Sequence, residues 1–137
     1  MLSTSQKLPD DLVSSISLAG EQVSLKSEGK VKVLYFFAPW CTVCHVSIGN
    51  VQGLYEKNPN IDVVAIALDY SSNKAVTDFV SQHELTIPIV YGNEQLKQVF
   101  KIEAYPSYYV IDANNEISWR SVGYSTELGM YLATKTS

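Results

Sequence analysis

The sequence predicts an α/β protein with one central mixed β-sheet and helices on both of its faces. Apolar runs of strand length alternate along the chain with segments whose apolar residues recur at helical spacing. Their order is β-β-α-β-α-β-α-β-β-α, which is typical of this class. The 137 residues can bury one core, and they contain no internal repeat or linker. We therefore expect a single domain over residues 1–137.

The first elements lie at the periphery of the predicted sheet. Residues 1–11 are polar and predict a flexible extension. The segment SISLAGEQVSL, residues 15–25, alternates around Gly20 and predicts a β-hairpin. Residues 30–38, KVKVLYFFA, then form a continuous β-branched and aromatic run. Such a run is typical of a strand buried on both faces, so we expect it near the centre of the sheet.

A helix, a second buried strand and another helix follow. Residues 42–57 have apolar side chains at helical spacing, namely Cys44, Ile48, Val51 and Tyr55. The apolar run IDVVAIAL, residues 61–68, predicts the second buried strand. Residues 71–84 predict the second helix, with Ser72 or Asn73 as its N-cap.

The second half of the chain repeats the alternation. Residues 86–91 predict a short strand. Because this segment contains Pro88, we expect the strand either to lie at an edge of the sheet or to begin near the proline. Residues 93–102 predict a short helix. Two further strands, residues 106–112 and 116–122, form a predicted hairpin because an Asn-Asn turn separates them.

The last predicted element is a helix that follows Gly123. Ser125 or Thr126 can cap its N-terminus, because both hydroxyls can accept from the first free backbone N–H groups. Leu128 and Leu132 are four residues apart, so we expect them to form the buried face of this helix.

Composition and charge exclude several classes of function. The chain is 46% hydrophobic and 18% charged, which is ordinary for a compact soluble protein. Its net charge is −4 and it has no cluster of Lys or Arg, which argues against binding to nucleic acid. No apolar run reaches the roughly 18 residues that a membrane-spanning helix needs. The first eleven residues also lack the apolar region of a signal peptide.

The chain has two cysteines, Cys41 and Cys44, so it is not a disulfide scaffold. A structural zinc site needs a second CxxC or a pair of closely spaced histidines, and the sequence has neither. His83 is far from the cysteines in the sequence. We therefore expect no metal site within the chain.

The two cysteines lie where a buried strand gives way to a helix. Cys41 is expected at the helix N-terminus, where free N–H groups and the helix dipole stabilise a thiolate by roughly 0.5–2 kcal/mol. This would lower the pKa of Cys41 from about 8.5 towards about 7. Cys44 lies one turn inside, on the same side of the helix and within disulfide reach. A CxxC motif in this position favours a redox dithiol.

A second motif lies 62 residues after Cys44, where a proline precedes a strand. With WCTVC at residues 40–44 and Tyr105-Pro106, the sequence resembles the thioredoxin superfamily, whose members pack a cis-proline loop against a WCxxC site. Gly123 falls where a third loop contacts the substrate in that superfamily. The N-terminal hairpin and the inserted strand-helix segment, residues 86–102, resemble the TlpA/ResA-like branch. The C-terminal end of the sequence is similar to ScsD-type bacterial disulfide oxidoreductases.

The resemblance implies a thioredoxin-like fold and a thiol–disulfide oxidoreductase that exchanges disulfides with protein substrates. Cys41 would be the nucleophile and Cys44 the resolving thiol, while Pro106 would pack against them. The residues expected to contact the substrate are Pro39, Trp40, Tyr105 and Gly123. No cofactor is implied beyond the dithiol. The resemblance also implies a monomer in the bacterial periplasm, which in a longer form is tethered to the membrane and is served by a transmembrane thiol electron donor.

The sequence departs from these relatives beside the resolving cysteine. Tyr35 stands where many relatives have a buried aspartate, and Ser47 stands where ResA-like proteins often have a glutamate. We therefore expect Cys44 to lose its proton reluctantly. Water, the Tyr35 hydroxyl and His45 are the candidates for accepting that proton. His45 is expected to lie solvated on the helix, where its cation could lower the pKa of Cys41.

Three other interpretations of the CxxC motif remain open. CTVCH also matches the CxxCH attachment site of c-type haem, but the buried strand before it argues against haem. Two thiolates could bind copper(I), because soft ligands suit that ion. A non-catalytic binding module of the same fold is the third alternative. It would keep its function when Cys41 is replaced by serine.

Overall fold

The computed structural model describes residues 6–7 and 14–135. Within them the strands are β1 (Gln6–Lys7), β2 (Ser14–Ser17), β3 (Gln22–Ser24), β4 (Val31–Phe37), β5 (Ile61–Ala67), β6 (Ile89–Tyr91), β7 (Ser107–Ile111) and β8 (Glu116–Val122). The helices are α1 (Thr42–Lys57), α2 (Asn73–Gln82), α3 (Glu94–Val99) and α4 (Glu127–Lys135). None of these described helices combines the length and the apolarity needed to cross a bilayer.

The described strands form one mixed sheet in the order β1-β8-β7-β4-β5-β6-β2-β3. At its centre, β4 pairs in parallel with β5 and antiparallel with β7. β5 also pairs in parallel with β6, while β7 and β8 form an antiparallel hairpin. The predicted mixed sheet and both predicted hairpins are confirmed. The carboxyl ends of the parallel strands β4 and β5 meet at one edge of the sheet.

Side chains of β4 alternate between two hydrophobic layers, as expected for an extended strand. Val33, Tyr35 and Phe37 face a layer that contains the buried residues of α1, α2 and α4. Leu34 and Phe36 face the opposite layer, which contains the buried residue of α3. The helices therefore cover both faces of the sheet, as the sequence predicted.

Three predicted elements have different bounds in the structure. Of the predicted extension over residues 1–11, Gln6 and Lys7 pair with β8, and the other residues lie outside the described part of the chain. β6 lies between β5 and β2, so it is not an edge strand, and it begins directly after Pro88. α3 ends at Val99 because Lys101 has a positive φ of 55°, which is incompatible with a continuing right-handed helix.

The predicted buried face of α4 is wrong. Leu128 and Leu132 are 64% and 53% exposed, whereas Met130 and Ala133 are buried. α4 packs against α1 and β4 with this other face. Thr126 caps the helix as expected, because its Oγ1 accepts from the Gly129 N–H at 3.0 Å.

Candidate active site

The two cysteines lie at the carboxyl end of β4, at the point where α1 begins. Cys41 is the N-cap residue of α1, and its Sγ accepts a hydrogen bond from the Cys44 backbone N–H at 3.2 Å. A turn closed by the Cys41 N–H and the Ala38 carbonyl at 3.0 Å leads into this position. Both cysteines are free thiols. Cys41 is 7% exposed and Cys44 is fully buried, so Cys41 alone of the two residues retains some contact with solvent.

Burial is the main reason why the pKa of Cys44 is raised to about 12. The hydrogen bond to Cys41 also raises it, while the Ala38 backbone and the Tyr35 hydroxyl partly oppose the rise. A thiol with this pKa is protonated at neutral pH. The structure therefore agrees with the expectation that Cys44 loses its proton reluctantly.

The loop before β7 lies against the Cys41 sulfur. The Cys41 Sγ is 3.6 Å from the Tyr105 carbonyl oxygen, and the peptide bond between Tyr105 and Pro106 is cis. The Gly123 N–H donates to the Pro106 carbonyl at 2.8 Å, and Gly123 has a φ of 94°. Three segments that are distant in the sequence therefore meet at the dithiol.

Two aromatic side chains contact each other beside Cys41. Trp40 is 64% exposed, and its ring meets Tyr105 edge-to-face with the ring centroids 5.8 Å apart. Val43 and Val46 on the first turns of α1 are also exposed. The surface beside Cys41 therefore includes several exposed apolar side chains, which are common on surfaces that bind other proteins.

Asp69 accepts hydrogen bonds from both Trp40 and Tyr105, and it was not predicted from the sequence. Its backbone carbonyl accepts from Trp40 Nε1 at 2.8 Å, and its carboxylate accepts from the Tyr105 hydroxyl. Lys97 Nζ lies 2.8 Å from the same carboxylate oxygen. The hydrogen bonds from Lys97 and Tyr105 hold the pKa of Asp69 below its usual value. Its place just after β5 was a usable signal, because sites in α/β proteins lie at the carboxyl ends of parallel strands.

His45 is half-buried and hydrogen-bonded, so the expectation that it lies solvated on the helix is wrong. Its Nδ1 is 2.7 Å from His83 Nε2, and its Nε2 is 2.8 Å from the Pro39 carbonyl oxygen. A carbonyl only accepts, so Nε2 carries a proton that it donates to Pro39. Phe79 packs against both imidazole rings. With both nitrogens engaged elsewhere, His45 is not placed to accept the proton of Cys44.

Tyr35 and Ser47 stand where similar proteins often have carboxylates, and their hydroxyl groups are in contact with each other. Tyr35 Oη and Ser47 Oγ are 2.8 Å apart, and the Tyr35 hydroxyl is 3.4 Å from the Cys44 carbonyl oxygen. Tyr35, Ser47 and Cys44 are all fully buried. Among the described residues, no three or more His, Cys, Asp or Glu side chains are grouped so that they could hold a metal ion.

Comparison with known proteins gives a consistent result. The profile of the Redoxin family matches residues 3–132. Thiol-disulfide oxidoreductase ResA from Oceanobacillus iheyensis is 32% identical over 115 residues, which are 80% of this chain and 59% of that protein. Sporulation thiol-disulfide oxidoreductase A from Bacillus subtilis is 24% identical over 115 residues, which are 80% of this chain and 70% of that one. This chain therefore spans only part of the length of both relatives.

A solved structure supports the fold. A thiol:disulfide interchange protein of the thioredoxin family from Chlorobium tepidum superimposes with a TM-score of 0.83 at 22% identity. The superposition covers 99% of this chain and 98% of that one. At this identity the likeness shows a thioredoxin-like fold.

Proposed function

The chain belongs to the Redoxin family, and from this membership and the geometry of its dithiol we propose that it is a thiol–disulfide oxidoreductase. Its similarity to ResA supports a place in the TlpA/ResA-like branch of the thioredoxin superfamily. The observation that carries the proposal is the position of Cys41. Cys41 is the more exposed of the two cysteines, and its sulfur accepts the backbone N–H of the buried Cys44 at a helix N-terminus.

This geometry supports a two-step exchange. The Cys41 thiolate attacks a substrate disulfide, so that a Cys41–substrate disulfide forms and the other substrate sulfur leaves as a thiolate. Cys44 then loses its proton and attacks the Cys41 sulfur. The Cys41–Cys44 disulfide forms, the substrate is released with both sulfurs reduced, and the protein has lost two electrons. The same steps run in reverse when the protein donates its disulfide.

The surroundings of Cys41 favour a protein as the substrate. Trp40, Val43 and Val46, which lie beside Cys41 in the sequence, expose large apolar side chains. Pro39, Pro106 and Gly123 lie in the loops that meet beside Cys41, and an extended substrate chain that lies along these loops would contact them. These residues are the proposed contacts to the substrate.

The setting of the reaction is also a proposal, and it rests on the resemblance to the TlpA/ResA-like branch. We place the protein outside the cytoplasm of a bacterium, where a membrane tether and a transmembrane thiol donor would serve it. The reaction needs no cofactor beyond Cys41 and Cys44, because the dithiol itself carries the two electrons.

The test is to trap the intermediate with a disulfide-bonded protein as substrate. Cys44→Ser should accumulate a covalent complex with the substrate that a reducing agent releases, because the resolving thiol is missing. Cys41→Ser should form no complex and should lose nearly all activity. A biological function that persists unchanged in Cys41→Ser would favour a non-catalytic binding module. A dithiol that binds one copper(I) ion but forms no reversible disulfide would favour the copper alternative.

The reduction potential of the dithiol then determines the direction of electron flow. Equilibration with glutathione or dithiothreitol measures it, and 30 mV corresponds to about 1.4 kcal/mol. A potential near about −270 mV would identify a reductase, and one near about −120 mV would identify an oxidant.

A further inference from the structure

Two histidines connect helices α1 and α2 to the loop that carries Cys41. His45 lies at the end of the first turn of α1, and His83 is the C-cap residue of α2. The His45 Nδ1 is 2.7 Å from the His83 Nε2, and the His45 Nε2 is 2.8 Å from the Pro39 carbonyl oxygen. Both distances lie within the range of hydrogen bonds. A continuous chain of two hydrogen bonds therefore joins α2 to the residue two positions before Cys41.

The acceptor at Pro39 fixes the positions of the ring protons. A carbonyl oxygen only accepts, so the His45 Nε2 carries a proton. A neutral imidazole has one N–H group, so the His45 Nδ1 is then an acceptor and the proton in the contact belongs to the His83 Nε2. Burial and then His45 lower the pKa of His83 below its usual value, so His83 is neutral at pH 8. The donors therefore follow one direction, from His83 through His45 to Pro39.

The loop before Cys41 borders an open cavity of about 260 Å³ on the side of α2. Pro39 and Trp40 contribute to the lining of this cavity from the loop, and Phe79 and Gln82 contribute from α2. The cavity keeps the loop from packing tightly against α2 at this point. The conformation of the loop therefore depends on its hydrogen bonds.

Side-chain hydrogen bonds hold the loop at two neighbouring points. Trp40 Nε1 donates to the Asp69 carbonyl at 2.8 Å, and His45 Nε2 donates to the Pro39 carbonyl. The second bond acts on the peptide group that joins Pro39 to Trp40. Because Trp40 directly precedes Cys41, the orientation of this peptide group affects where the N-cap residue and its sulfur lie.

We propose that His83 is a positioning residue for thiol–disulfide exchange, which acts through His45 to fix the loop that presents Cys41. The inference rests on the proposed function, because it concerns the attack of Cys41 on a disulfide. Phe79 packs against both imidazole rings, but this packing fits the His45 ring in either of two orientations related by a 180° flip. The proton that His83 donates selects the orientation in which the His45 Nε2 faces Pro39. No proton is transferred in this role, since both imidazoles act through position alone.

The experiment compares His83→Ala with His83→Gln. Alanine removes the donor, whereas the amide of glutamine can donate to the His45 Nδ1 in its place. Val80→Ala is the matched control, because Val80 is a half-buried residue of the same helix whose side chain forms no hydrogen bond. Each reduced protein is mixed at pH 8 with a small chromogenic aryl disulfide in stopped flow. The first release of aryl thiolate reports the attack by Cys41.

His83→Ala should release the first thiolate at least about threefold more slowly than wild type, since misplacement of a reacting group by about 1 Å can cost as much as about 10²-fold. His83→Gln and Val80→Ala should both react at rates closer to wild type than to His83→Ala. A wild-type rate in His83→Ala would overturn the positioning role. Rates in His83→Gln or Val80→Ala as low as that of His83→Ala would also overturn it, because the hydrogen bond would not be the cause.

Nitrogen NMR of the wild-type imidazoles gives a second readout, which depends neither on the folding of a variant nor on activity. At pH 8 both His45 and His83 should carry their proton on Nε2. A proton on the His45 Nδ1 instead would overturn the inference in an active protein. No release of thiolate by wild type would overturn the proposed function and this role with it, whereas equal release by wild type and all variants would overturn the positioning role alone.

Discussion

Replacement of Asp69 by asparagine should loosen the positions of Trp40 and Tyr105 beside Cys41 and leave the dithiol intact. Asparagine has nearly the same shape and tolerates the positive φ of 50° at this position, so the backbone is not strained further. The backbone carbonyl of residue 69 still accepts from Trp40. The change removes one negative charge, which both the Tyr105 hydroxyl and Lys97 contact.

The expected loss of stability is modest. The ion pair with Lys97 is about one third exposed on both sides, and such pairs contribute about 0.2–1 kcal/mol. A hydrogen bond to a charged group contributes about 1.5–3 kcal/mol when buried, but Tyr105 is half-exposed and an amide oxygen remains to accept its hydroxyl. We therefore expect Asp69→Asn to lower the free energy of unfolding by about 1 kcal/mol at pH 7.

The pH dependence has a defined sign. The folded-state pKa of Asp69 is lowered, so its stabilisation is fully present above its unfolded pKa of about 3.9 and is lost as pH falls through the folded value. The difference between wild type and Asp69→Asn should therefore shrink below about pH 4. Urea unfolding at several pH values measures this difference. The pKa of Tyr105, which burial and then Asp69 raise, should fall in the variant.

The functional readout compares two substrates. With a disulfide-bonded protein, Asp69→Asn should raise KM several-fold, whereas the rate with a small aryl disulfide should not change. Asp62→Asn is the matched control, because Asp62 has a similar exposure of 33% and a lysine partner at 3.4 Å but contacts neither Trp40 nor Tyr105. Equal KM values for the two variants, or a stability gap that widens in acid, would refute the positioning role of Asp69.

Two further predictions concern Cys44 and α4. Burial raises the pKa of the Cys44 thiol far above that of an ordinary thiol, so mass spectrometry after alkylation of the reduced protein at pH 8 should find label on Cys41 and almost none on Cys44. Labelling of native Cys44 within about tenfold of the rate for glutathione would contradict this. Met130→Ala should lower the free energy of unfolding by about 2–5 kcal/mol because Met130 is fully buried, whereas Leu128→Ala should change it by less than about 0.5 kcal/mol. Equal losses of stability for the two substitutions in urea denaturation would instead support the buried face of α4 that the sequence predicted.

The error in α4 has a physical cause. Residues 127–135 have apolar side chains on two faces, with Leu128 and Leu132 on one and Met130 and Ala133 on the other. Helical spacing fits both faces, so the local pattern could not choose between them. The choice is made by packing of α4 against α1 and β4, which depends on the tertiary structure.

Some features of the candidate site could be predicted from the sequence, and others could not. The sequence predicted helix 42–57 with its structural bounds, and it predicted Cys41 at the N-terminus of that helix, because strand, turn and cap signals are all local. The partner of His45 was not predictable, because His83 is 38 residues away in the chain. The contact of Asp69 with Tyr105 spans 36 residues and was missed for the same reason.

What the sequence determined by itself is therefore the order of the elements, the alternating burial of the central strands and the position of the dithiol at a strand–helix junction. Each follows from periodicity or from a residue's fit to a local backbone conformation. The tertiary structure alone decided which polar groups surround the dithiol. They are Asp69 in contact with Trp40, His83 in contact with His45, and the Tyr35 and Ser47 hydroxyl groups beside Cys44. These contacts depend on how separate strands and helices pack, since hydrogen bonds between distant segments form only where the fold brings donor and acceptor within about 3 Å.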